Sequence, residues 1–199
     1  MLIGINGNIG AGKDTVGEYL NQEYGYERLS FAAKLKESAA SLFDIHPAMW
    51  ESWKNLDHIR VRITNEDYPD EFEADMSVRT FLQRYGTEAH RDIFGDDFWV
   101  DHALRGVDPN KNYYFTDARF ANELRAIKEL GGYTVRVERD LETTDTHASE
   151  QRPPFELIDY QLDNTGTLED LYENVDYFMS WIKYEELQKE AVGSRYGDE

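Results

Sequence analysis

Near the start of the chain, Gly7-Asn8-Ile9-Gly10-Ala11-Gly12-Lys13 has the residue types and spacing of a loop that wraps a polyphosphate. Glycines let successive backbone N–H groups curl around phosphate oxygens, and a lysine directly after the last glycine reaches the outer phosphates. Such loops usually continue with a Ser or Thr whose hydroxyl holds Mg2+; here the next residues are Asp14 and Thr15. A carboxylate is a hard oxygen donor that can hold Mg2+ directly or through water. An acidic residue in the first turn of a helix is also favoured by the helix dipole, and both readings of Asp14 stand. The sequence therefore assigns Gly10, Gly12, Lys13, Asp14 and Thr15 to a nucleoside triphosphate, with Lys13 catalytic and Asp14 and Thr15 facing the metal.

Phosphoryl transfer works mainly by positioning and charge neutralisation, so it also needs cations around the acceptor. Ser77 opens a helical pattern in which Val78, Phe81, Leu82, Tyr85 and Ala89 form one apolar stripe. The same periodicity sets Arg79, Gln83 and Thr87 along a polar flank. A guanidinium there can grip a monophosphate by two parallel hydrogen bonds, and an amide one turn on can read a base edge. The competing reading is a solvated helix flank. His147 has no second histidine at metal-ligand spacing, and neither Ser30 nor Ser149 has a recognisable base partner, so hydrolase chemistry has no support.

The scaffold is legible as alternating strands and helices. Leu2–Asn6 reads as a buried strand, followed by the glycine loop and a helix with Val16 and Leu20 one turn apart. Residues 31–43 read as a second helix and 49–59 as a weaker third, while the acidic stretch 65–75, with Pro69, reads as a loop. Tyr113–Thr116 is a strand ending at Asp117, 120–130 a helix stopped by Gly131-Gly132, and Tyr133–Val137 another strand. Residues 140–154 read as a long loop and 157–162 as a last short strand. Thr167 and Asp170 then open a helix carrying Leu168, Leu171, Val175, Phe178 and Ile182. This β-α-β order predicts an α/β fold with a mainly parallel sheet and helices on both faces, ligands lying at the carboxyl ends of the strands.

The 199 residues, 40 % of them apolar, suffice for one core, and no stretch has the length and apolarity of a membrane span. The absence of a secretion signal leads us to expect a cytoplasmic protein. Zero cysteines exclude disulfides, thiolate metal sites and thiol catalysis. A net charge of −19 argues against a nucleic-acid partner. It leaves room for a small anionic ligand wherever the few cations converge.

Several segments together resemble the phage-type deoxynucleoside monophosphate kinases. Gly12-Lys13-Asp14-Thr15 matches their phosphate loop, in which Asp follows the lysine. Phe31-Ala32-x-x-Leu35-Lys36, Ser77-Val78-Arg79 with Leu82-Gln83 and Gly86-Thr87, and Trp99-Val100 agree in order and spacing. So do Thr116-Asp117-x-Arg119-x-x-x-Glu123, Gly131-Gly132, Asp145-Thr146-His147-x-Ser149-Glu150 and Asn164-x-Gly166-x-Leu168-Glu169. The chain is shorter between residues 44 and 76 than some members. The resemblance implies a three-layer α/β/α P-loop NTPase fold with a lid region. It further implies one domain over residues 1–190, with an acceptor-side insertion at 45–76, a lid loop at 139–155 and a frayed tail at 191–199. It implies Mg2+-dependent transfer of the ATP γ-phosphoryl group to a deoxynucleoside monophosphate, for phage DNA precursor synthesis in the host cytoplasm. Lys36, Arg60, Arg79, Gln83, Thr87, Trp99, Asp117 and Glu123 resemble acceptor-site positions, Arg79 also counting as catalytic, and Arg139 is placed to contact ATP from the lid side. The competing readings are a core residue for Trp99, a strand-end cap or a solvated helix face for Asp117 and Glu123, with Asp117 otherwise near the metal, and a surface ion pair for Arg139. Homodimers are expected by the same resemblance. Another small P-loop kinase, such as one acting on dephospho-coenzyme A, and a P-loop NTPase acting on a macromolecule are the alternatives.

Overall fold

The computed structural model describes residues 1–64, 73–140 and 152–193. They group into two compact units: residues 1–30 with 107–193, and residues 31–106.

The first unit is built on five parallel strands, β1 (Leu2–Asn6), β2 (Glu27–Leu29), β5 (Tyr113–Phe115), β6 (Tyr133–Glu138) and β7 (Tyr160–Asp163), in spatial order β2-β5-β1-β6-β7. Parallel pairing demands crossover helices: α1 (Lys13–Tyr24) follows β1, α7 (Ala121–Glu129) joins β5 to β6, and α8 (Leu168–Gly193) follows β7. The two faces of β1 differ by simple alternation. Ile3 and Ile5 join Val16 and Leu20 of α1 and Leu171, Val175, Phe178 and Ile182 of α8 in one core. Gly4 faces α7 so closely that a Cβ there would lie 2.6 Å from Ile127 Cδ1. The helices therefore cover both faces of a parallel sheet, as expected.

Two further contacts fix α1 and α8. Tyr19 stacks on Tyr172 with ring centroids 4.3 Å apart, and the Tyr19 and Tyr24 hydroxyls both donate to Asp176. Burial first, and then the hydrogen bond to Asp176, push the Tyr24 hydroxyl well above its ordinary pKa. Thr167 and Asp170 cap α8 reciprocally, Thr167 N donating to Asp170 Oδ2 at 2.8 Å and Asp170 N to Thr167 Oγ1 at 3.2 Å.

The second unit holds α2 (Ala33–Ser41), α3 (Ala48–Trp53), an antiparallel pair β3 (Arg60–Thr64) and β4 (Glu73–Ser77), then α4 (Val78–Gly86), a π-helical turn Thr87–Arg91, α5 (Asp92–Phe94) and α6 (Phe98–Leu104). Its core gathers Ala39, Ala40, Trp50, Val61, Val78 and Phe81. Ser77 caps α4 as expected, its hydroxyl accepting from Thr80 N at 3.1 Å. The apolar stripe of α4 holds through Tyr85 and then fails. The π turn adds a residue to the helical repeat, so Ala89 is exposed and His90 turns inward onto Tyr85 and Trp99.

Three other readings need correction. The third helix ends at Trp53, short of residue 59, where Asp57 and His58 fall in a turn. Residues 60–64 and 73–77 form a strand pair that takes in the C-terminal end, 73–75, of the stretch expected to be loop, while 65–72 lie outside the described residues. The last strand starts at Tyr160, because Phe155–Leu157 close a 3-10 turn after Pro153-Pro154. The loop 140–154 also falls mostly outside the described residues, as does the tail beyond Gly193.

Candidate active site

β1 ends at Asn6 in the middle of the sheet, between β5 and β6, where successive connections leave in opposite directions. Such a switch point is where open α/β sheets bind ligands. The glycine loop starts there. Gly7, Gly10 and Gly12 all have positive φ, 148°, 80° and 101°, which permits a tight curl. At Gly12 glycine is required twice over, since an added Cβ would also lie 2.4 Å from Asn164 Nδ2.

Lys13 is 8 % exposed, and its ammonium donates to the carbonyls of Gly7 and Asn8, each at 2.8 Å. The side chain thus lies along the loop with its charge at the loop's mouth. Asp14, the second residue of α1, accepts at Oδ1 from Arg28 at 2.7 Å and from the Thr116 hydroxyl at 2.9 Å; Arg28 also donates to Thr116 Oγ1 at 2.8 Å. The carboxylate stays 66 % exposed. Thr15 follows it, half-buried. Asp117, at the end of β5, accepts from the Ser30 hydroxyl at 2.6 Å. Arg139 reaches the Gly10 carbonyl at 3.4 Å, so the structure brings it to the glycine loop.

Two supports of the loop carry residues to which the sequence reading gave no role. Asn164, just past β7, donates to the Ala11 carbonyl at 2.7 Å. Arg136, buried in β6, donates to Asn6 Oδ1 at 2.6 Å, to Asn8 Oδ1 at 2.9 Å and to Glu138 at 3.0 Å. A signal for Arg136 was present: a charged residue amid Val135 and Val137 in a strand paired on both sides must be satisfied internally. Arg28 gave none, being one polar residue in a three-residue edge strand.

Glu123 is 3 % exposed, and its Oε2 accepts from Arg119 N at 2.7 Å and Phe120 N at 2.9 Å. That is the placement of a helix cap on α7.

The second unit holds the remaining candidates. Arg79, Gln83 and Thr87 are all exposed along the α4 flank, as the periodicity required, with the Arg79 guanidinium donating to Asn55 Oδ1 at 2.7 Å. Lys36 is paired with Glu51 at 2.6 Å. Burial pushes the Glu51 carboxyl up, but the hydrogen bonds and charges of Lys36 and Lys54 outweigh it and hold Glu51 down to about 2. Arg60 donates to Asp75 across the strand pair at 2.8 Å. Trp99, expected to line an acceptor pocket, is 4 % exposed and its indole N–H donates to the Gly86 carbonyl at 3.0 Å, which is the position of a core residue.

A model of the deoxynucleotide monophosphate kinase family matches residues 44–175. The chain belongs to that family. A protein of Acanthamoeba polyphaga mimivirus named for the same activity is 30 % identical, the match covering 88 % of this chain and 94 % of that one. The deoxynucleotide monophosphate kinase of Escherichia phage RB69 is 32 % identical over 50 % of this chain, which is 43 % of its own length. Among solved structures, the dephospho-CoA kinase of Campylobacter jejuni aligns with a TM-score of 0.50 at 15 % identity, covering 93 % of this chain and 98 % of that one. At that identity the likeness speaks for the P-loop kinase fold alone. Membership of the deoxynucleotide monophosphate kinases agrees with the resemblance carried by the glycine loop, the Ser77–Thr87 segment and the Thr116–Glu123 segment. No helix among the described residues is long and apolar enough to cross a membrane.

Proposed function

We propose that this chain transfers the γ-phosphoryl group of ATP to a deoxynucleoside monophosphate, giving ADP and the deoxynucleoside diphosphate, and so supplies DNA precursors in the cytoplasm of an infected cell. The observation that supports this most is the glycine loop with the Lys13 ammonium laid along it, in a chain of this family. An oxygen of the acceptor phosphate forms the new bond to the γ-phosphorus while the bond to the β–γ bridging oxygen breaks. That acceptor oxygen is already ionised near neutral pH, so no general base is needed. What remains for the protein is alignment and neutralisation of charge. Lys13 and the backbone N–H groups of the loop hold the donor's outer phosphates, and Arg139 approaches the same loop.

The donor set suits Mg2+. Asp14 offers an exposed carboxylate beside Lys13, both of its hydrogen bonds fall on Oδ1, and Thr15 adds a hydroxyl next to it. Among the described residues no three or more His, Cys, Asp or Glu side chains gather at one point. This fits a cation held chiefly by phosphate oxygens and water with one carboxylate. When bound, Mg2+ supplies charge neutralisation on the β- and γ-phosphate oxygens. Asp14→Ala is therefore expected to raise the Mg2+ concentration for half-maximal rate more than it raises the KM for the acceptor. Unchanged Mg2+ dependence in a Mg2+ titration, with a loss in thermal stability alone, would leave Asp14 to Arg28 and the helix dipole.

On the acceptor side, Arg79 and Gln83 stand one turn apart on an exposed flank, where a guanidinium fork and an amide can meet a phosphate and a base edge. Lys36 and Arg60 add cations, each held by a carboxylate that a phosphate would have to displace. Arg79→Lys is expected to raise the KM for the deoxynucleotide and lower the rate while leaving ATP affinity nearly unchanged, because a point charge cannot reproduce the fork. Kinetics against dGMP and dTMP with ATP varied separately test this. Wild-type acceptor kinetics in both Arg79→Lys and Arg79→Ala would make the flank structural.

A further inference from the structure

Arg136 is a costly residue in its position. Its side chain is 7 % exposed within a parallel strand whose neighbours Val135 and Val137 are fully buried. Taking a guanidinium out of water is costly unless its nitrogens find partners. Here each nitrogen finds a partner: Nη1 on Asn6, Nη2 on Asn8 and Nε on Glu138. The sheet could be filled at this point by an apolar side chain, so the fold alone does not account for the charge. Its contacts run along a single line. The β1–β6 register sets Arg136 opposite Asn6, the last residue before the loop. Asn8, inside the loop, accepts Arg136 on its side chain, and on its backbone carbonyl it accepts both the Lys13 ammonium at 2.8 Å and the Ala11 N–H at 3.1 Å. Fixing Asn8 fixes the point from which Lys13 is aimed. The guanidinium of Arg152 pairs with the same Glu138 oxygen, so two cations share one carboxylate oxygen.

We infer that Arg136 is a positioning residue for the donor: through Asn8 it sets the shape of the glycine loop and the aim of Lys13, and it thereby controls affinity for the nucleoside triphosphate. This rests on the donor half of the function proposed above.

The test uses the full chain and measures ATP binding by calorimetry without acceptor. A protein that binds ATP yet phosphorylates no deoxynucleotide would fail the proposed function, and its ATP affinity would still decide the role of Arg136. Asn8→Ala removes the amide that Arg136 grips but keeps the carbonyl that holds Lys13. Arg136→Lys keeps the charge but cannot reach three partners with one ammonium. Each is expected to weaken ATP binding by about tenfold or more, the equivalent of one charge-assisted hydrogen bond. The acceptor KM should stay near wild type, a split that general loss of stability would not produce. The double variant should be no weaker than the weaker single one, because both cut the same link. Wild-type ATP affinity in folded Asn8→Ala, or losses that add in the double variant, would overturn the inference. Asn8→Ala lies in the half-buried loop and carries the test even if Arg136→Lys does not fold.

Discussion

Lys13→Ala should lower the transfer rate by several hundredfold or more, corresponding to about 3–4 kcal/mol of lost charge stabilisation in the transition state. The ammonium is held at the loop by the Gly7 and Asn8 carbonyls, already desolvated and aimed, so little reorganisation is needed when charge builds on the transferring phosphoryl group. The packing consequence is small by comparison. The two carbonyls lie at a loop that water can reach once the side chain is gone, and the core under it is made by Ile3, Ile5, Val16 and Leu20. A thermal melt close to wild type together with a collapse in turnover is the expected result. Near-normal turnover by a folded Lys13→Ala protein would remove the loop from the chemistry.

Gly12→Ala should have the other large effect, and should show it in stability as well as in donor binding. The residue sits at φ 101°, where an L side chain costs roughly 1–2 kcal/mol. The new Cβ would also lie 2.4 Å from Asn164 Nδ2, on a short side chain pinned by its bond to the Ala11 carbonyl. Relief requires that bond to break, at a further ~0.5–1.5 kcal/mol. The sum predicts a loss of about 1.5–3.5 kcal/mol in denaturant unfolding and a much weakened affinity for ATP. Gly131→Ala is the control: its φ is 76°, but nothing lies within 4 Å of an added Cβ, so it should cost only the backbone strain of roughly 1–2 kcal/mol and leave ATP binding alone. Equal losses in the two variants would mean that Asn164 does not brace the loop.

What can be read from the sequence follows from how local the governing physics is. β1, the glycine loop and α1 form one continuous signal, an apolar strand, a glycine turn and an amphipathic start, and they fold as written. The caps at Ser77 and Thr167, and the stop at Gly131, are contacts spanning three or four residues and are legible for the same reason. β2 escapes notice because an exposed edge strand of three residues, Glu27-Arg28-Leu29, carries no apolar alternation. The β3–β4 pair escapes it because cross-strand register is set over a distance that periodicity does not sense. The π turn cannot be read from a 3.6-residue repeat, and it moves Ala89 out and His90 in.

The candidate site divides in the same way. Lys13, Asp14 and the loop glycines are adjacent in sequence and their geometry is local. The Arg28–Asp14–Thr116 triangle and the Arg136–Asn8 and Asn164–Ala11 braces bring together residues far apart in the chain, so only the fold could display them. For Glu123 the position on α7 is legible, but the two backbone N–H groups that hold it are not.

The most direct measurement is a coupled assay for ADP with ATP and Mg2+, run across all ribo- and deoxynucleoside monophosphates. Dephospho-coenzyme A and a no-acceptor reaction serve as comparisons. The expectation is that ADP forms only when a nucleotide acceptor is present, with at least one deoxynucleoside monophosphate among the best, and that the matching diphosphate appears in equal amount. ADP and inorganic phosphate released without any acceptor, or transfer confined to dephospho-coenzyme A, would contradict it.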